Sequence, residues 1–180
     1  MKTTRMLRGA RVLVVGAGGL GCPAIMYLAA AGVGTLSVVD DDVVSLSNLQ
    51  RQVIHTTHEV SNPKVESVSR AISKLNPHVN VITRKERLTA ENGPALVEGK
   101  TMVIDGSDNF ATRYLTADIC ETLEVPLVSA AVGRFDGSVT TLKPYEVGQN
   151  GQQNPRYRDL FPSQPPDGTI APCAEAGILG

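Results

Sequence analysis

The run "RVLVVGAGGLG", residues 11–21, constrains the fold of this chain more than any other stretch. Arg11 to Val15 is an apolar, β-branched run, the pattern of a parallel strand buried on both faces. It passes directly into Gly16, Gly18 and Gly21, spaced G-x-G-x-x-G with Gly19 among them. A helix is read from about Gly19 to Ala31, ended by Gly32, and a second strand from Thr35 to Asp40. Strand, glycine turn, helix and strand form a βαβ unit. Such glycines either permit tight strand–helix packing or let a phosphate approach the N–H groups at the helix start. Asp40 stands 19 residues after Gly21, where a carboxylate can hold ribose hydroxyls. Together these point to a nucleotide.

The alternation continues. A helix opens at Asn62-Pro63, with Pro63 read as its first residue and Val65, Val68, Ile72 and Leu75 on one apolar face. Strands are read at "VNVIT", "TMVID" and "PLVSAAV", and helices at "TAENGPALVE" and "NFATRYLTADICETLE". "GSVTTLKP" is expected to pair antiparallel with the fifth strand. The fold class expected is α/β, a Rossmann-like, mostly parallel sheet with helices on both faces. Residues 1–148 are expected to be its nucleotide-binding domain. Residues 149–180, rich in Pro, Gln, Asn and Gly at the start, read as a mobile crossover loop carrying Cys173.

Composition excludes several classes. A net charge of -1 gives no bulk attraction to nucleic acid or an anionic membrane, and Trp is absent. No apolar run is long enough to span a bilayer, so no membrane partner and a cytoplasmic location are expected. Cys22, Cys120 and Cys173 are widely separated and include no CxxC pair, which argues against a disulfide framework or a zinc site. Cys22 and Cys120 fall in helical stretches and read as core. His55, His58 and His78 have no ligand spacing and read as surface or structural.

In such a sheet, ligands sit beyond the C-terminal ends of the strands. After the second strand come Asp41 and Asp42, then Asn48, Arg51, Gln52 and Lys64. Arg51 and Lys64 are more positive charge than a dinucleotide's pyrophosphate requires. A triphosphate would use them, each charge-assisted contact contributing about 1.5–3 kcal/mol. Lys64 falls in a first helical turn, which disfavours cations unless an anion is near. Asp41 reads as a solvated turn residue, whereas Asp42 could orient the basic residues. Asn48 and Gln52 could share the phosphate contacts or cap a short helix. In "DGSDN", Asp105 or Asp108 could hold Mg²⁺, with Asp108 favoured, although Ser107 or Asp108 could instead cap the next helix. Cys173, in "APCAEAG", is a candidate nucleophile on a loop.

The ordered set "RVLVVGAGGLG", "LSNLQRQ", "PKVES", "DGSDN" and "CAEAGILG" resembles the ubiquitin-activating-type adenylyltransferases of sulfur carriers, the MoeB/ThiF type with its tRNA-thiolation relatives. The resemblance implies ATP and Mg²⁺ as cofactors. The substrate it implies is the C-terminal Gly-Gly carboxylate of a small ubiquitin-like carrier, adenylylated with release of pyrophosphate for molybdopterin, thiamin or thiolated-tRNA pathways. It places Gly18 on the nucleotide, Asp40 on the ribose, Asn48, Arg51, Gln52 and Lys64 at the phosphates and Asp108 on the magnesium. It matches Cys173 to a cysteine that links covalently to the carrier in some members. A homodimer and a sulfurtransferase partner are further implications. Arg156 and Asp159 stand where many members carry a zinc-binding CxxC, so zinc is not expected. The family's N-terminal helix, which lends an arginine to the partner subunit's site, is expected to be absent, with Arg5 and Arg8 close to the first strand. Further family elements are expected beyond residue 180. Two other readings fit the glycines: a nicotinamide-dependent oxidoreductase, and a non-catalytic subunit of an activating pair. The first leaves Arg51, Lys64 and Asp108 without a role; the retention of those same residues argues against the second.

Overall fold

The β-branched runs pair into one six-stranded sheet. Strands β1 (Arg11–Val15), β2 (Thr35–Val39), β3 (Asn80–Arg84), β4 (Met102–Asp105) and β5 (Leu127–Val132) are parallel, and β6 (Gly137–Leu142) is antiparallel to β5. The spatial order is β3-β2-β1-β4-β5-β6. The computed structural model describes residues 2–133 and 136–164; the expectation for Cys173 lies outside them.

Among the described residues, six α-helices accompany the sheet: α1 (Lys2–Gly9), α2 (Gly21–Ala30), α3 (Lys64–Leu75), α4 (Gly93–Val97), α5 (Phe110–Thr122) and α6 (Tyr157–Leu160). Successive side chains of a strand point to opposite faces, so β1 feeds two cores. Val12 and Val14 pack with Ile25 of α2 and Val68 of α3, while Leu13 and Val15 pack with Val97 of α4 and Ile119 of α5. Each such aliphatic side chain contributes about 1.5–3 kcal/mol on burial, which makes the central strand the best-specified part of the chain.

Residues 2–9 form a short helix: Leu7 leans on the α2/α3 core, and its carbonyl accepts from Gly34 N–H at 2.9 Å. Two local expectations are corrected. Pro63 is the N-cap of α3, in extended conformation, so Lys64 is the first helical residue. Within the stretch from 149 that reads as a loop, α6 is packed. Tyr157 is buried edge-on against Tyr114 at 5.1 Å, and Tyr114 Oη donates to the Phe161 carbonyl at 2.8 Å. Two aromatic residues in "YRDLF" outweigh the polar composition around them. At the positions compared with a CxxC, the Asp159 carboxylate accepts from Arg156 N–H at 2.8 Å and caps that helix.

The chain leaves β1 toward β2 and β3, then crosses back to β4 on the other side. This reversal opens a crevice between the C-terminal ends of β1 and β4. The turns after those two strands meet there. Gly16, at φ +91°, lies so close to the Gly106 carbonyl that a Cβ would stand 3.2 Å from its oxygen.

Candidate functional site

A cavity of about 470 Å³ occupies this crevice. Its floor is Gly16, Gly18 and Gly19; one wall is Asp40, Asp42, Arg51, Gln52 and Lys64, and the other is residues 106–109 with Arg113. Glu86, Arg87 and Leu88, just past β3, complete the rim.

The glycine turn is held from below. Ala17 N–H donates to Asp40 Oδ2 at 2.7 Å, and Gly16 N–H to the Val39 carbonyl at 2.9 Å. The N–H groups of Gly18 and Gly19 have no acceptor among the described residues and stand at the start of α2, where the helix dipole favours an anion. Gly21 has a different role. It does not line the cavity, and a Cβ there would lie 1.9 Å from the Gly16 carbonyl oxygen. It permits close packing, whereas Gly18 has open space above it.

Asp40 takes a second bond, from Asp42 N–H at 2.8 Å. Burial nevertheless raises its pKa, and the nearby Lys64 ammonium and these two N–H bonds only partly oppose that. The carboxylates of Asp40, Asp41 and Asp42 lie within 4.8 Å of one another. Each is already engaged: Asp42 with Lys64 at 2.7 Å, Asp41 with Arg87 at 3.2 Å, and Asp40 with the two backbone groups. The expectation that Asp42 orients a basic residue agrees with its contact to Lys64.

Arg51 lies along the glycine turn, its Cδ 3.6 Å from where a Gly19 Cβ would be. Its Nη2 donates to Asn48 Oδ1 at 3.1 Å and its Nη1 to the Ser47 carbonyl at 3.4 Å. Asn48 itself does not line the cavity; it holds Arg51 instead. Gln52 does line it, is 4% exposed, and its Oε1 has no partner among the described residues.

The two carboxylates of "DGSDN" differ in exposure. Asp105 ends β4 fully buried, accepts from Ser107 N–H at 3.0 Å, and burial raises its pKa. Asp108 is exposed, faces the cavity, and has no hydrogen bond or ion pair among the described residues. Neither Ser107 nor Asp108 caps α5: Asn109 does, accepting from Thr112 N–H at 2.9 Å. A carboxylate without a partner among the described residues, on a cavity that Arg51 and Lys64 also line, fits Mg²⁺, which binds through one or two carboxylates together with phosphate oxygens and water.

Arg113, Glu86, Arg87 and Leu88 also line the cavity and carry no motif in the sequence. The last three follow a strand end and were open to the rule applied to the others. Arg113 was not legible. It lies one turn into α5, 8% exposed, and donates from Nε and Nη2 to the Ser107 carbonyl at 3.1 and 2.9 Å. Cys22 and Cys120 are buried, and burial pushes both thiols up to about 12. His58 and His78 are exposed, and His55 is buried.

The ThiF family model matches residues 1–180. The chain is 50% identical over 174 residues to the SAMP-activating enzyme E1 of Haloferax volcanii, covering 97% of this chain and 62% of that one. It is 46% identical over 174 residues to the sulfur carrier protein adenylyltransferase of Thermus thermophilus, covering 97% and 64%. It therefore spans less than two thirds of the length of these relatives. Among solved structures, the tRNA N6-threonylcarbamoyladenosine dehydratase TcdA of E. coli, in complex with ATP, superposes with a TM-score of 0.71 at 28% identity, covering 74% of this chain and 56% of that one.

Proposed function

This chain belongs to the ThiF family, and on that premise we propose that it adenylylates the C-terminal Gly-Gly carboxylate of a small ubiquitin-like sulfur-carrier protein, consuming ATP and releasing pyrophosphate. The single observation that carries the reading is the convergence of Arg51, Lys64, Asp108 and the unpaired glycine-turn N–H groups on one cavity. A redox dinucleotide has no use for that much phosphate-directed charge.

In the reaction, a carboxylate oxygen of the carrier bonds to the α-phosphorus while the bond from that phosphorus to the bridging oxygen breaks. Pyrophosphate leaves with the electron pair. The nucleophile is already an anion, so no strong base is needed. The protein supplies position and charge stabilisation. Asp40, fixed by two backbone N–H groups, would accept from ribose hydroxyls. Gly18 and Gly19 N–H groups would bind phosphate oxygens, joined by Arg51 and by Lys64, whose ammonium Asp42 holds in place. Asp108 would hold Mg²⁺, which neutralises phosphate charge when bound.

A cytoplasmic location is part of this proposal, and the family resemblance adds a homodimer, a sulfurtransferase partner and Cys173 as the residue for a covalent carrier link. Pyrophosphate exchange into ATP, dependent on a Gly-Gly-tailed carrier, tests the central reading. NAD bound more tightly than ATP·Mg²⁺ would defeat it, and full exchange in Arg51→Ala would show that Arg51 does not contact the phosphates.

A further inference from the structure

We propose that His55 is a positioning residue for this site: by holding the Ala17 carbonyl from inside the protein, it turns the next N–H, that of Gly18, toward the phosphates. The inference rests on the nucleotide reading above and adds a residue to it.

The Ala17 carbonyl accepts from two buried side chains, His55 Nε2 at 3.1 Å and Cys22 Sγ at 3.1 Å. A carbonyl can only accept, so Nε2 carries the imidazole proton. His55 Nδ1 is then the acceptor for the Ser67 hydroxyl at 2.9 Å, and the tautomer is fixed by its two neighbours. His55 is 5% exposed, Ser67 2% and Cys22 fully buried, so water does not replace these bonds.

The consequence follows from peptide geometry. The Ala17 C=O and the Gly18 N–H belong to one planar trans unit and point in opposite directions. Fixing the oxygen toward His55, under the turn, aims the hydrogen away from the interior and into the cavity that Gly18 lines. The preceding unit is held as well, because Ala17 N–H is bound to Asp40. His55 also belongs to the segment that carries Arg51, and its own N–H donates to the Gln52 carbonyl at 3.0 Å. One imidazole thus connects the cationic segment, the glycine turn and, through Ser67, helix α3. Cys22 is a weaker donor and cannot hold the carbonyl as well alone. The neutral ring that this arrangement needs is favoured first by burial and also by the neighbouring Lys64 charge, which outweigh the hydrogen bond to the Ala17 carbonyl and the pull of Asp40 and Glu59.

The test is calorimetric titration of ATP·Mg²⁺ into wild type, His55→Leu and His55→Gln, with folding checked by circular dichroism. Leucine removes the donor, and glutamine places an amide N–H near the Nε2 position. We expect His55→Leu to weaken ATP about tenfold and His55→Gln to recover to within about threefold of wild type. In pyrophosphate exchange, the KM for ATP should change more than kcat. Nitrogen-15 NMR of wild type should show the neutral Nε2–H tautomer for His55. Wild-type affinity in folded His55→Leu would overturn the proposal. So would a folded glutamine variant about tenfold weaker than wild type, or an Nδ1–H ring in wild type; the last two readouts stand even if the leucine variant does not fold. A wild-type protein that binds no ATP overturns the nucleotide reading, and this inference with it, and is recognised because that titration is read first.

Discussion

Lys64 Nζ and Asp42 Oδ2 are joined at 2.7 Å, with the lysine side chain 5% exposed and the aspartate 63% exposed. The pair explains how a lysine can begin a helix, where the backbone is electropositive: its counter-ion comes from the loop 22 residues earlier. It also leaves the ammonium fixed at the cavity wall, within reach of a second anion.

Removing the exposed partner tests this arrangement. Asp42→Asn leaves a buried ammonium without its carboxylate, and we expect about 1–2 kcal/mol of lost stability in urea unfolding without nucleotide. A bound triphosphate supplies the missing negative charge, so saturating ATP should raise the melting temperature of this variant more than that of wild type. Equal rises would show that Lys64 does not meet the phosphates.

The two glycines should separate by mechanism. Gly21→Ala forces a methyl group against the Gly16 carbonyl and is expected to cost about 3 kcal/mol of stability. Gly18→Ala meets nothing nearer than Gln52 Nε2 at 3.8 Å, so its stability should stay within about 0.5 kcal/mol of wild type. ATP binding to Gly18→Ala should nevertheless weaken, because the methyl group stands in the cavity.

Asp108→Asn should leave the melting temperature almost unchanged and lower pyrophosphate exchange by about 100-fold or more. The Mg²⁺ dependence of ATP binding should disappear with it. Asp105→Asn is the control, since its carboxyl is buried, faces Ser107 N–H and is held toward the neutral form. A stronger loss of Mg²⁺ dependence in Asp105→Asn would exchange the two roles.

Acid should act on His55. Its folded pKa is lowered from 6.5, chiefly by burial, so the folded state holds fewer protons than the unfolded chain just below that pH. Its contribution to stability is fully present above 6.5 and is lost as pH falls from there through the folded value. Urea midpoints of wild type should decline across that window, and His55→Gln should flatten that part of the curve. Identical slopes would show that the ring is already solvated.

The βαβ core was legible because strand and helix periods are local: β-branched runs at 11–15 and 35–39 and the glycines between them specify pairing whatever surrounds them. The site was legible as a set of strand-end residues, because a parallel sheet places its ligands there. Which of those residues faces the cavity was not. Asp105 and Asp108 are three positions apart and chemically alike, but one ends a buried strand and the other tops a turn whose helix is capped by Asn109. His55 reads as any loop histidine until Ser67, Cys22 and the Ala17 carbonyl close around it from three other segments. Periodicity and spacing are properties of neighbours along the chain, and by themselves they determined the elements and their order. Exposure, pairing and tautomer depend on groups 12 to 38 residues apart coming within about 3 Å, and only the packed sheet and its helices decided those.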